Sequence, residues 1–220
     1  MASLLQKRKI KLTWSKMVQY EKMKILFPGI FLCLLFANCV STKYTYDFEK
    51  GKELNFSMGK WLLNKPYMNP EINRVYDIAV NDFSAILKDS LMEVEDLRGS
   101  HLIPNKMPYT PTKKELEDIA LGSRCDYLIN YKLTILSAEN YSFTTSPPIG
   151  TVIRINEAMA EILIYDLNTL EVLSQSSAIG KVKVKISSED SGGTYVNLAS
   201  NISRSAFSRL IKRYEKYRIK

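Results

Sequence analysis

Three stretches carry the reading of the fold: Asp126–Leu136 (DYLINYKLTIL), Ala158–Tyr165 (AMAEILIY) and Lys181–Ile186 (KVKVKI). In the first, Tyr127, Ile129, Tyr131, Leu133 and Ile135 alternate with Asn130, Lys132 and Thr134. A period of two places the apolar set on one face of a half-buried strand. The second is apolar on both faces and so reads as a more central strand. Asp166-Leu167-Asn168-Thr169-Leu170-Glu171 turns the chain into a third strand from Val172, which ends in the Lys/Val alternation. Valines and Ile186 point inward there, lysines to water. Three consecutive strands joined in this way predict an antiparallel core.

Working outward, the periodicity changes from two to about 3.6. Lys60–Asn64 (KWLLN) is a short apolar strand stopped by Pro66. Asn69-Pro70-Glu71 then provides a cap-competent side chain, proline at the first helical position and an acid in the first turn. Ile72, Val75, Tyr76, Ala79, Phe83, Ile86, Leu87 and Leu91 follow as one apolar stripe, so a helix is expected here. Met92–Leu97 reads as a second strand. Thr112-Lys113-Lys114-Glu115 is a capping box, opening a short helix that Gly122 is expected to close in the left-handed conformation. A last helix, 194–217, carries Leu198, Ile202, Ala206, Phe207, Leu210, Ile211 and Tyr214 on one face. Arg209, Lys212, Arg213, Lys216 and Arg218 load its end, where cations complement the helix dipole.

The expected fold class is therefore α+β. One mixed, mainly antiparallel sheet of about five strands packs with three helices in the order β-α-β-α-β-β-β-α. No repeat is visible, and about 180 residues suffice for one domain with its own core.

The amino-terminal region has another character. Met23-Lys24 precedes an apolar run, Ile25–Ala37, that stops at Cys39 and gives way to polar residues. A charged start, a short apolar core and small residues before the cut are the layout of a secretory signal. Ile25–Val40 falls short of the ~20 apolar residues that span a bilayer and contains Pro28, Gly29 and Asn38. An ordinary cleaved signal, an uncleaved anchor or a buried core helix are the competing readings.

Residues 1–38 are read as signal peptide, with Met17 and Met23 as alternative starts, 39–58 as a tether and 59–220 as the domain. Removing the first 38 residues also removes most of the basicity. The full chain has 31 Lys+Arg against 23 Asp+Glu, and 24 against 22 remain. A nucleic-acid partner is not expected. Cys33 lies within the signal, so beyond Cys39 only Cys125 is left. It has no disulfide partner and reads as a buried thiol.

Phe36-Ala37-Asn38-Cys39 resembles the end of a bacterial lipoprotein signal, departing from the usual pattern at Asn38. That resemblance implies that Cys39 carries a diacylglycerol and fatty acyl chains such as palmitate. Val40 lacks the aspartate linked to inner-membrane retention in enteric systems, which favours the outer membrane. Ala120–Ile129 (ALGSRCDYLI) and Ala160–Leu173 (AEILIYDLNTLEVL) resemble the α/β domain shared by curli-secretion lipoproteins, the Tol amino-terminal domain and the lipoprotein activators of penicillin-binding proteins. The likeness runs over about 59–212. Leu170 stands where that family hairpin usually has glycine, and Ser123-Arg124-Cys125 departs from the usual small-residue approach to the aspartate.

Catalytic chemistry finds few residues. His101, the lone histidine, lies in a turn-rich loop and reads as a solvated side chain. The chain has no HExxH, CxxC, GxSxG or phosphate-binding glycine loop, and Gly192-Gly193 lacks the following lysine. Glu157 and Glu161 share a strand face but stand ~13 Å apart by strand rise, beyond the ~5–9.5 Å of a glycosidase pair. No catalytic residue, metal ligand or cofactor is assigned. Tyr141–Gly150 is a long, apolar-tipped connection that suits a binding loop as well as a tolerated insertion.

The expected function is a non-catalytic, lipid-anchored periplasmic module that binds or helps assemble an envelope protein partner, with the membrane engaged through Cys39. An oligomeric export-pore subunit like the curli channel is the alternative, opposed by Pro147-Pro148 in the segment that would span. A hydrolase of envelope polymer is disfavoured by the missing residues.

Overall fold

The structure, a computed structural model, describes residues 41–48, 54–65, 74–97, 103, 107–138, 151–187 and 197–219. The signal segment, Cys39, the Asn69-Pro70 helix start, His101, the 141–150 connection and Gly192-Gly193 lie outside the described residues. The folded unit runs from Ser41 to Lys220.

Among the described residues, six strands and three helices follow in chain order: β1 (Lys43–Asp47), β2 (Trp61–Leu63), α1 (Val75–Leu87), β3 (Leu91–Glu93), α2 (Lys113–Ser123), β4 (Tyr127–Ser137), β5 (Thr151–Asp166), β6 (Glu171–Ser187) and α3 (Ala199–Tyr217). The strands form one sheet in the order β1-β6-β5-β4-β2-β3. β1, β6, β5 and β4 are mutually antiparallel, whereas β2 is parallel to both β4 and β3. The mixed, mainly antiparallel α+β architecture is the expected one, with one strand more.

The additional strand corrects the tether. Lys43–Asp47, within the 39–58 stretch expected to be free, pairs along its length with β6, from Lys43↔Lys181 to Asp47↔Ser177. Phe48, Leu54 and Phe56 are buried in the main core. A five-residue KYTYD alternation carries no aliphatic side chain, so its burial depends on what the rest of the fold brings over its tyrosines.

The two faces of the sheet are covered unequally. On one, α1 and α3 pack Val75, Ala79, Phe83, Phe207, Leu210 and Tyr214 against Ile129, Tyr131, Ala160, Ile162 and Ile164. On the other, α2 packs Leu116 and Ile119 against Leu62, Leu128, Leu163 and Tyr165, with Met107 closing the cluster. The half-buried reading of β4 is therefore corrected at its start: Leu128–Tyr131 are buried in succession, because both faces are covered there. Farther along, the expected alternation returns. Val182 and Val184 are buried while Lys181 and Lys183 are exposed.

Local signals act as their chemistry requires. The Thr112 backbone N–H donates to Glu115 Oε2 at 2.7 Å, and the Glu115 N–H donates to Thr112 Oγ1 at 3.3 Å, completing the capping box. The helix stop differs from expectation. Gly122 stays within α2, and Arg124 adopts the left-handed conformation (φ 53°, ψ 31°) while its N–H donates to the Ala120 carbonyl. Met92–Leu97 is likewise shorter as a strand than expected, since Val94–Leu97 turns into a 3-10 helix.

Gly59 is required where it stands. At φ 73°, a Cβ there would lie 2.8 Å from the Tyr127 ring and 2.9 Å from Asp126 Oδ2, the oxygen that accepts the Lys60 N–H at 2.8 Å. At the β5–β6 turn, Asp166 Oδ1 accepts the N–H groups of Asn168 and Thr169. Leu170 there has φ 60°, which explains why glycine would suit that position: a side chain in this region costs ~1–2 kcal/mol.

Candidate functional site

The seating of β1 is the most elaborate surface arrangement in the described residues, and it begins two residues after Cys39 in sequence with Ser41. Alternation turns Tyr44 and Tyr46 toward α3 and leaves Lys43, Thr45 and Asp47 exposed. The Arg209 guanidinium lies 4.5 Å from the Tyr44 ring centre, and that of Arg213 lies 3.7 Å from the Tyr46 ring centre. Each such contact contributes ~0.5–1 kcal/mol at an exposed site and more when desolvated.

Gly180 makes room for this packing. A Cβ there would meet Ile202 Cγ2 at 2.5 Å and Tyr44 Cε1 at 2.7 Å. Phe48 continues the contact past the strand end, edge-on to Tyr214 with ring centres 4.8 Å apart. The basic end of α3 is thus largely engaged within the fold. Arg218 Nη1 also donates to the Ile86 carbonyl at 3.1 Å, and Lys216 lies over the Tyr217 ring.

Among the described residues, no helix packs on the second face of the sheet beyond α2. Lys43 and Lys181 stand opposite each other in register, followed along β6 by Lys183. Ile155 is opposite Lys183, and Ile153 lies two residues farther toward the β5 start, nearly half exposed. Lys181 Nζ is 2.7 Å from Glu157 Oε2. Glu161 faces Lys132 across β4–β5, as a cross-strand pairing predicts. The two glutamates share a face, but each is directed to its own lysine row.

A polar groove of about 560 Å³ separates α1 from α3, lined by Arg74, Asp77, Asn81, Asp82, Arg204 and Ser208 among others. Two pairs among its lining residues are hydrogen-bonded. Ser208 Oγ donates to Asp82 Oδ2 at 2.7 Å, and Arg204 donates to Asn201. The Ser208–Asp82 bond ties α1 to α3.

Deeper polar groups hold the second face in place. Asn64 and Asn130, both buried, are hydrogen-bonded to each other. The Asn130 amide donates to the Pro108 and Tyr109 carbonyls at 2.9 Å each, pinning the approach to α2. Satisfied buried amides of this kind fix register, because leaving one unpaired costs ~1–3 kcal/mol. Tyr131, behind α3, has its phenol pushed up by burial.

Cys125 is buried, as the sequence reading expects, between α2 and β4. Desolvation pushes its thiol up despite the hydrogen bond with Ser123, and its sulfur contacts Met92 Sδ at 3.6 Å. A buried thiol with a raised pKa makes a poor nucleophile. Among the described residues no cluster of three His, Cys, Asp or Glu side chains could hold a metal ion, and no helix is long and apolar enough to cross a membrane.

The β1 strand is the structural feature that sequence reasoning missed. The Tyr44/Tyr46 alternation was the available signal, together with two arginines one helical turn apart, Arg209 and Arg213, on the last helix.

No protein-family model and no curated protein matches the chain. Among solved structures, the chain is similar to the PelC dodecamer from Paraburkholderia phytofirmans, at 12% identity and a TM-score of 0.43, covering 82% of this chain and 100% of that one. It is also similar to a variant PelC dodecamer from the same organism, at 12% identity and a TM-score of 0.41, with 79% and 98% of the two chains covered.

Proposed function

We propose that the chain is an envelope lipoprotein. Acyl chains on Cys39 hold a non-catalytic domain at the membrane, probed by partner proteins through its exposed sheet face and helices. The observation that carries this reading is the apolar run Ile25–Ala37, which ends at Cys39, two residues ahead of the folded unit at Ser41. A buried methylene contributes ~0.8 kcal/mol in a bilayer, so two or three acyl chains suffice for stable anchoring. The inert setting of Cys125 and the mutual pairing of the groove side chains favour a binding role over a catalytic one.

Mass spectrometry of the mature protein from bacterial membranes tests this. A first residue of Cys39 bearing diacylglycerol is expected, and Cys39→Ala should release the protein from the membrane fraction. An unacylated chain that starts upstream of Cys39 and remains soluble would overturn the proposal. Photo-crosslinking from Lys132 and from Asn81, both exposed, in intact cells would then identify the partner and the surface it uses.

A further inference from the structure

We infer that the end of the sheet bearing Lys43, Lys181 and Lys183 rests on the phospholipid headgroups, so that the domain is oriented on the membrane and does not swing from a long tether. This rests on acylation of Cys39. Four peptide units separate Cys39 from Lys43, a span of at most ~15 Å even when fully extended. Had the chain been free to residue 58, as the sequence suggests, the reach would have been several times greater.

The first strand cannot easily lift away to lengthen that span. It is held by the ladder with β6, by Arg209 and Arg213 over Tyr44 and Tyr46, and by the close approach to Gly180. A lipid on Cys39 therefore brings one particular end of the sheet to the bilayer. Toward that end, where β5 and β6 run on to Thr151 and Ser187, the sheet face carries Lys43, Lys183 and Lys181, the last paired with Glu157, with Ile153 nearly half exposed beside them. Lysines whose ammonium groups meet phosphates while their stems and a neighbouring isoleucine lie along the boundary suit a headgroup layer. α3 also begins at this end, where the Asn156 amide donates to the Asn197 carbonyl, and its first turn holds no acid. The helix thus directs the positive end of its dipole the same way. At the opposite end of the sheet the exposed groups include Asn168 and Glu171 of the β5–β6 turn. Ile155 and Asp166 on β5 are eleven residues apart, about 36 Å of strand, so the two ends are readily distinguished.

Acylated mature protein, beginning at Cys39, reconstituted in phosphatidylethanolamine/phosphatidylglycerol vesicles provides the test. A fluorophore is placed at Lys183→Cys or at Asn168→Cys; Cys33 is lost with the signal, Cys125 is shielded by burial and Cys39 by its lipid. Vesicles doped with headgroup-spin-labelled lipid should quench the Lys183→Cys probe several-fold more than the Asn168→Cys probe. Charge reversal at Lys43, Lys181 and Lys183 should reduce the difference in quenching between Asn168→Cys and a probe at Ser177→Cys, while leaving far-ultraviolet circular dichroism and the acylated mass unchanged. Equal quenching at positions 183 and 168 on acylated protein would overturn the orientation alone. An unacylated Cys39 would overturn the anchor and the orientation with it.

Discussion

The two faces of this sheet are built from the same alternating strands, yet they have different fates. α1 and α3 close one face over Ile129, Tyr131, Ala160, Ile162 and Ala178. α2 closes the other only near Leu128, Leu163 and Tyr165, and the remainder carries lysine, glutamate and half-exposed isoleucine. Alternation determines which side chains share a face, but the number of helices available determines which face becomes interior. The covered face therefore holds most of the buried apolar side chains among the described residues.

The largest expected difference between the faces comes from matched truncations. Phe207 is fully buried and its ring centre lies 4.8 Å from that of Tyr131. Phe207→Ala should cost ~3–5 kcal/mol, the usual range for emptying a packed aromatic site. Ile153→Ser, on the open face, should stay within ~0.5 kcal/mol. Urea unfolding of both variants measures the contrast, and similar midpoint shifts would mean that the open face is covered after all.

Gly180→Ala gives an intermediate effect at the edge of the covered face. A new Cβ would press on Ile202 and the Tyr44 ring, costing ~1–3 kcal/mol of the kind measured for overpacked sites. The loss should be localised: amide exchange is expected to accelerate across 43–47 while β4 and β5 stay protected. Uniform acceleration would show that β1 is integral to the global fold and not a separately seated strand.

The smallest effect concerns the partial cover. Thr112→Ala should cost about 1 kcal/mol, as loss of an N-cap generally does, and should loosen α2 over its cluster. The same cap responds to acid. Hydrogen bonds from the Thr112 backbone and side chain hold the Glu115 carboxyl below its ordinary range. A depressed folded-state pKa contributes stability above the unfolded value, and that contribution is lost as pH falls through the folded value. Wild type should therefore lose slightly more stability than Thr112→Ala on acidification from neutral pH to below the normal glutamate range. Parallel pH profiles for the two proteins would remove the capping box from the account.

Several of these elements were readable before any coordinates. The Thr112/Glu115 spacing, the Lys/Val alternation of 181–184 and the apolar stripe of the last helix each depend on neighbours within a turn or two of chain. Leu170 is a partial case: its departure from glycine was visible, but its left-handed backbone was not. The β1 seat was illegible for a physical reason. Tyr44 and Tyr46 are half-buried because Gly180 lacks a side chain and because Arg209 and Arg213 arrive from the far end of the sequence.

The amino-acid sequence by itself determined the three long strands, the capped helix, the fold class and the segment ending at Cys39, since all of these are set by local period and composition. The tertiary structure alone decided that 43–47 is a strand, that the start of β4 is buried on both faces, and that the helix stop falls at Arg124. Those outcomes depend on contacts between residues distant in the chain, whose burial is a property of the assembled layers and of no single segment.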